Sequence, residues 1–141
     1  ADHEPLMMKQ VANTFGCDGG NQSPSLSWSN APKGTKSFAI SMYDPDAPTG
    51  SGFWHWLVVN IPSQQRSFDG NSGLTLMNDA GIEGYLGACP PQGQRHRYLI
   101  TLYALDTEKL TVNSKTPNAV ARFMLNQHVI AKTTIMTIYA R

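Results

Sequence analysis

At 141 residues with 40% apolar side chains, the chain has the length of one domain, residues 1–141, and enough apolar material for a core without metal or disulfide staples. A charged content of 15% and a formal net charge of +1 exclude a disordered chain and a nucleic-acid binder driven by bulk charge. There is no long apolar run of the kind that spans a membrane as a helix.

The chain opens at Ala1 without an initiator Met, as a signal-cleaved or trimmed product would. Together with abundant Ser, Thr, Asn and Gln, this gives a periplasmic or secreted location as the expectation and the cytoplasm as the alternative. In chain order, residues 1–10 lack periodicity and read as a first strand or an arm. Phe15 to Asn30 is rich in Gly, Asn and Ser and reads as extended chain with turns, with a short strand at Leu26 and Trp28. Ser37 to Tyr43 alternates Phe38, Ile40 and Met42 against Ser37, Ala39 and Ser41, a strand that ends at Asp44-Pro45. Trp56 to Ile61 is a continuous apolar run stopped by Pro62, the pattern of a strand buried on both faces. Gln64 to Asn78 is polar and reads as a loop. Arg97 to Leu105 alternates as another central strand. A helix is expected at about 117–130, with Thr116 as cap, Pro117 at its first position, and Val120, Phe123, Met124 and Gln127 at helical spacing. Thr133 to Tyr139 is β-branched and closes the domain as a strand. The two cysteines, Cys17 and Cys89, would form one disulfide in an oxidising compartment and be two small apolar side chains in the cytosol; their spacing fits no compact zinc pattern.

Two loops carry the chemistry. In Asp44-Pro45-Asp46-Ala47-Pro48 the prolines stiffen the residues before them, so two carboxylates are held at a strand end. Such a pair can orient a histidine, share a proton or bind a cation. As an isolated motif it more often satisfies loop amides. His55 sits between Trp54 and Trp56 just before the buried run, which aims it at the rim of the sheet, although a lone histidine there is more often a satisfied core residue. In Gly87-Ala88-Cys89-Pro90-Pro91 the prolines carry no N–H, so the amides of Gly87, Ala88 and Cys89 are the ones free to face a ligand. Period two puts His96 and Tyr98 on one strand face and Arg97 on the other, where it packs or pairs elsewhere. Imidazoles, a tyrosine hydroxyl and turn amides suit a phosphoryl group or a similar anion. The carboxylates would repel it unless a histidine is charged. We expect Asp44 to hold His55 as a donor and the affinity to fall as pH rises.

At these residues the chain resembles the phosphatidylethanolamine-binding protein (PEBP) family, which includes the Raf kinase inhibitor proteins. The matching pieces are Asp44-Pro45-Asp46-Ala47-Pro48, the Trp-His segment before Leu57-Val58-Val59-Asn60, and Gly-Tyr-x-Gly-x-Cys-Pro-Pro followed by His96-Arg97-Tyr98. Ser23-Pro24-x-Leu26-x-Trp28 and a helix end at His128-Val129-Ile130-Ala131 fit as well. The short loops look like the bacterial branch, and the mature-like start resembles its exported, YbcL-type members. The resemblance implies a mainly β, PEBP-like sandwich with a large central sheet, a smaller sheet and a few short helices. It also implies a small anion or phosphoryl head-group pocket made by Asp44, Asp46, His55, Ala88, Cys89, Pro91, His96 and Tyr98. Cys89 stands where many eukaryotic members have glycine, and the C-terminal helix that partly covers the pocket in animal members is not seen before Arg141, so a more open pocket is expected.

The leading expectation is a non-catalytic, cofactor-free binding or regulatory module, with a protein partner and a dimer left open. The alternatives are a hydrolase using His and Asp as acid and base, and a metal site of His55, His96 and Asp44. No nucleophile elbow, P-loop or His-Glu-x-x-His motif supports the first alternative.

Overall fold

A computed structural model describes residues 5–141. The fold is mainly β, two antiparallel sheets and one α-helix, as the resemblance implied. Of the segment 1–10, residues 1–4 lie outside the described residues, Pro5 bridges Ile138 in parallel, and Met8–Gln10 is a single 3-10 turn. In chain order follow β1 (Leu26–Ser27), β2 (Ser37–Asp44), β3 (Phe53–Pro62), β4 (Ser67–Phe68), β5 (Leu74–Thr75), β6 (Arg95–Leu105), α1 (Asn118–Asn126) and β7 (Val129–Ala140). The large sheet has the order β5-β3-β2-β6-β7, and β1 pairs with β4 in the small one.

The large sheet buries both faces. Phe38, Ile40 and Met42 of β2, Trp56 and Val58 of β3, and Tyr98 and Ile100 of β6 form one core with Phe68 of the small sheet. Ala39, Leu57, Val59, Tyr103 and Leu105 form the other, covered by Ala121 and Leu125 of α1. Two cores explain why β3 is continuously apolar and not alternating. Asn60 interrupts its period. It holds φ 59°, in the left-handed region, and the pairing of β2 with β3 skips from Phe38–Ile61 to Ile40–Val58. This bulge turns Ile61 back to the face of Trp56 and Val58, and the Asn60 Oδ1 accepts from the Leu110 N–H at 2.9 Å.

Three expectations are corrected. The segment 64–78 contains β4 and β5, two-residue strands that exist only through partners far away in the sequence, Leu26 opposite Phe68 and Val58 opposite Thr75. The helix stops at Asn126, because Val129 to Ala131 pair with β6 as the start of β7. Thr116 is not the cap. Pro117 occupies that position, and the Thr116 hydroxyl accepts from the Asn113 N–H in the preceding turn.

β2 runs antiparallel to both β3 and β6. The end of β2 and the starts of β3 and β6 therefore meet at one edge of the sheet, which brings Asp44, His55, His96 and Tyr98 together.

Candidate functional site

A pocket of about 420 Å³ opens at that edge. Its polar lining comes from Asp44, His55, His96 and Tyr98, and its walls include Phe15, Pro48, Phe53, Leu86 and Pro91. Tyr98 stands between the imidazoles, with ring centroids 5.5 Å from His55 and 6.5 Å from His96.

Asp44 serves His96, not His55. His96 Nδ1–H donates to Asp44 Oδ2 at 2.7 Å, both side chains almost wholly buried, and the other carboxylate oxygen accepts from the Asp46 N–H at 2.8 Å. The second ring nitrogen of His96 lies 2.7 Å from Gln94 Oε1. His55 Nδ1–H donates instead to the Leu86 carbonyl at 2.9 Å, which leaves Nε2 as the acceptor nitrogen. Burial pushes the His55 pKa down, opposed by the Leu86 carbonyl and the Asp44 charge. The expected Asp44–His55 bond fails because the sheet register puts the carboxylate beside β6.

The hydroxyl of Tyr98 is buried close beside the Asp44 carboxylate, which it approaches without a well-formed hydrogen bond. Burial first, and Asp44 second, push its pKa up, so it stays a neutral donor. The Gly87 amide is consumed by Asn21 Oδ1 at 2.7 Å, whereas the Cys89 amide makes no hydrogen bond among the described residues. Gly87 is required by close approach: a Cβ there would collide with the Gln10 carbonyl and the Ala12 nitrogen. Ala88 is fully buried and lies outside the pocket lining.

Asp46 also lies outside the lining. It turns away to Arg97, accepting from its N–H at 2.8 Å, its Nε at 3.0 Å and its Nη2 at 2.8 Å. The guanidinium holds the carboxyl down at about 2. A carboxyl depressed in the folded state adds stability above its unfolded pKa and loses it as pH falls toward the folded one. Arg97→Ala is thus expected to lower the urea midpoint at neutral pH, with the difference from wild type shrinking between about pH 4 and pH 2. A difference that persists undiminished at pH 2 would contradict the pairing.

Asp44, His55 and His96, the alternative metal set, line one pocket. Asp44 and His96 bond to each other, and among the described residues no three His, Cys, Asp or Glu side chains are grouped to hold a metal ion. Cys17 and Cys89 form a disulfide at the rim. The arginine at position 141 ties the same rim, donating from Nη2 to the Gly16 carbonyl and from Nη1 to the Pro90 carbonyl, each at 3.2 Å. Three wall residues carried no signal of their own in the sequence: Phe15, Phe53 and Ala80. Phe15 is 66% exposed and holds φ 58°, a conformation that bulky residues avoid and that clusters at ligand sites.

The profile of the phosphatidylethanolamine-binding proteins matches residues 3–140. YbcL of Escherichia coli is 46% identical over 148 residues, covering 96% of this chain and 81% of its own length. Its crystal structure, described as that of a new member of the mammalian PEBP family, superimposes with a TM-score of 0.94 at 44% identity, covering 99% of this chain and 93% of that one. YbhB of the same organism is 42% identical over 149 residues, 99% of this chain and 94% of its own. A putative lipoprotein of Mycobacterium tuberculosis, LppC, is 41% identical over 110 residues, 74% of this chain and 51% of its own.

Proposed function

Because the chain belongs to the phosphatidylethanolamine-binding protein family, we propose that it is a non-catalytic binding module whose pocket takes a phosphoryl group or a similar small oxyanion and whose rim engages a protein partner. The observation that supports this most is the Tyr98 hydroxyl, buried with no well-formed hydrogen bond between two imidazoles that line the same pocket. An unpaired buried hydroxyl costs roughly 1–3 kcal/mol, and an anion oxygen would relieve it. The Cys89 amide supplies a second donor. No lining side chain is an evident nucleophile, since the Cys89 sulfur is in the disulfide and Tyr98 is held protonated. The disulfide and the lipoprotein relative both support an oxidising location outside the cytoplasm.

His55 gives the pocket its pH dependence. Burial keeps the free ring neutral at pH 7, whereas an anion bound beside it favours the charged ring. Binding then takes up a proton, so affinity falls as pH rises. Calorimetric titrations with phosphate and with sulfate across about pH 5 to 8 test this, and sulfate removes the ligand's own titration from the result. Tyr98→Phe is expected to weaken both anions roughly three- to tenfold, one hydrogen bond. Flat sulfate affinity removes the histidine from the reading, and no saturable heat with either anion removes the pocket.

A further inference from the structure

On the far side of Phe53 lies a second cleft, of about 600 Å³, lined by Tyr43, Thr49, Trp54, Asp79 and Arg122 among others. Phe53 lines both depressions, and the chain neighbours Pro48 and Thr49, like Ala80 and Asp79, are divided between them. The cleft is therefore next to the pocket but is made by different polar groups.

Arg122 is the cation of this cleft, and it is held in place. It projects from α1 with its guanidinium carbon 4.1 Å from the centre of the Trp54 ring, and Trp54 in turn stacks on Tyr43 at 4.2 Å. Its Nε donates to Asn118 Oδ1 at 2.6 Å. Asn118 is buried, and its own Nδ2 donates to the Met77 carbonyl at 2.9 Å, which fixes the direction of the amide. Among the described residues Arg122 forms no ion pair, and neither Nη1 nor Nη2 donates a hydrogen bond. Stacking on Trp54 accounts for the position of the guanidinium, yet leaves its fork unused. An arginine already immobilised by an aromatic face and a buried amide loses little further side-chain freedom when it binds.

The ligand class follows from Asp79. Its carboxylate lines the same cleft, accepts from the Trp54 N–H at 2.8 Å, and attracts Arg122 without pairing to it. The lining holds one cation against that carboxylate, so a second negative charge on a ligand would meet no further cation, and a monoanion fits better than a dianion. A carboxylate is a monoanion whose two oxygens match the arginine fork in bidentate fashion, and it is the smallest and flattest of these for a fork lying on an indole face. The geometry points to the Arg122 cleft as a second anion site, distinct from the pocket, that takes a carboxylate on Nη1 and Nη2. Partial burial lowers the pKa of Arg122, and the Asp79 charge opposes that shift from a distance.

Sodium acetate is the probe, titrated against sodium chloride at constant ionic strength and followed by NMR at the Trp54 indole and the Arg122 Nε–H. The wild type and Tyr98→Phe are expected to show the same saturable shifts. Arg122→Lys keeps the charge and loses the fork, so acetate should bind on the order of tenfold more weakly, the loss of one charge-assisted hydrogen bond. In Arg122→Ala the indole shift should vanish. No saturation in the wild type, a shift that survives in Arg122→Ala, or equal affinity in Arg122→Lys overturns the proposal. Loss of the shifts in Tyr98→Phe assigns the binding to the pocket and overturns it as well.

Discussion

His96→Ala is expected to cost about 3–5 kcal/mol of folding stability and to abolish phosphate binding in the pocket. The cost comes from what remains. Asp44 is 2% exposed, and its Oδ2 takes the His96 Nδ1–H at 2.7 Å. Removing the imidazole takes away the donor of that oxygen and leaves the carboxylate with the Asp46 N–H on Oδ1 and the neutral Tyr98 hydroxyl beside it, neither of them a cation. A solitary buried carboxylate is far more costly than either the intact pair or a neutral replacement of both partners. The same charge would face an incoming anion with nothing to balance it. A double-mutant cycle separates this from simple loss of packing. Asp44→Asn removes the stranded charge, so the His96→Ala/Asp44→Asn variant should be more stable than the sum of the single losses predicts. Urea midpoints of the four proteins decide the matter. Strict additivity would mean that the carboxylate is not the source of the loss.

That cycle concerns the point at which sequence reasoning reached its limit. The motif Asp44-Pro45-Asp46 and the histidines at positions 55 and 96 were legible as site candidates, because prolines and strand starts are local signals. Which acid serves which histidine was not. That assignment depends on β2 lying between β3 and β6 and on the register that carries Tyr43 opposite Leu99. Within β6, period two put His96 and Tyr98 on one face and Arg97 on the other, and the structure buries the first two and exposes the third. The fate of Asp46 could not be read in the same way, since its arginine partner is 51 positions away.

The fold divides along the same line. The long strands β2, β3 and β6 show in their alternation or their continuous apolar runs. β4 and β5 do not, because two residues carry no period and owe their extended form to a partner. The expected helix ran past Asn126 because residues 127–130 do not forbid it, until pairing with β6 claims Val129 onward for the sheet. Phe15 escaped notice for a related reason. Nothing in a Gly- and Asn-rich stretch marks one phenylalanine as a pocket wall, and what brings it there is a covalent bond between cysteines 72 positions apart.

Removing that bond, as Cys17→Ser/Cys89→Ser, is expected to lower stability by about 4 kcal/mol, most of it through the unfolded chain, since a long closed loop gives up much entropy. For a domain of this length that is a fall in Tm of roughly 10–20 °C. The double variant is needed because a single one leaves a reactive thiol that can pair between molecules. The disulfide also acts on the pocket. Phe15 is two residues from Cys17, and Pro90 and Pro91 follow Cys89, so the bond ties one wall to the other. The Arg141 guanidinium bridges the same two segments by hydrogen bonds to Gly16 and Pro90, and each of these is weaker than the covalent link. Phosphate affinity should therefore fall in the variant at temperatures well below its Tm, because Phe15 must now be ordered when the ligand binds. Thiol counting under denaturing conditions should find no free thiol in the oxidised wild type. An unchanged Tm would show that the bond does not constrain the unfolded chain. A lowered Tm with undiminished phosphate affinity would show that Phe15 is held at the rim without it.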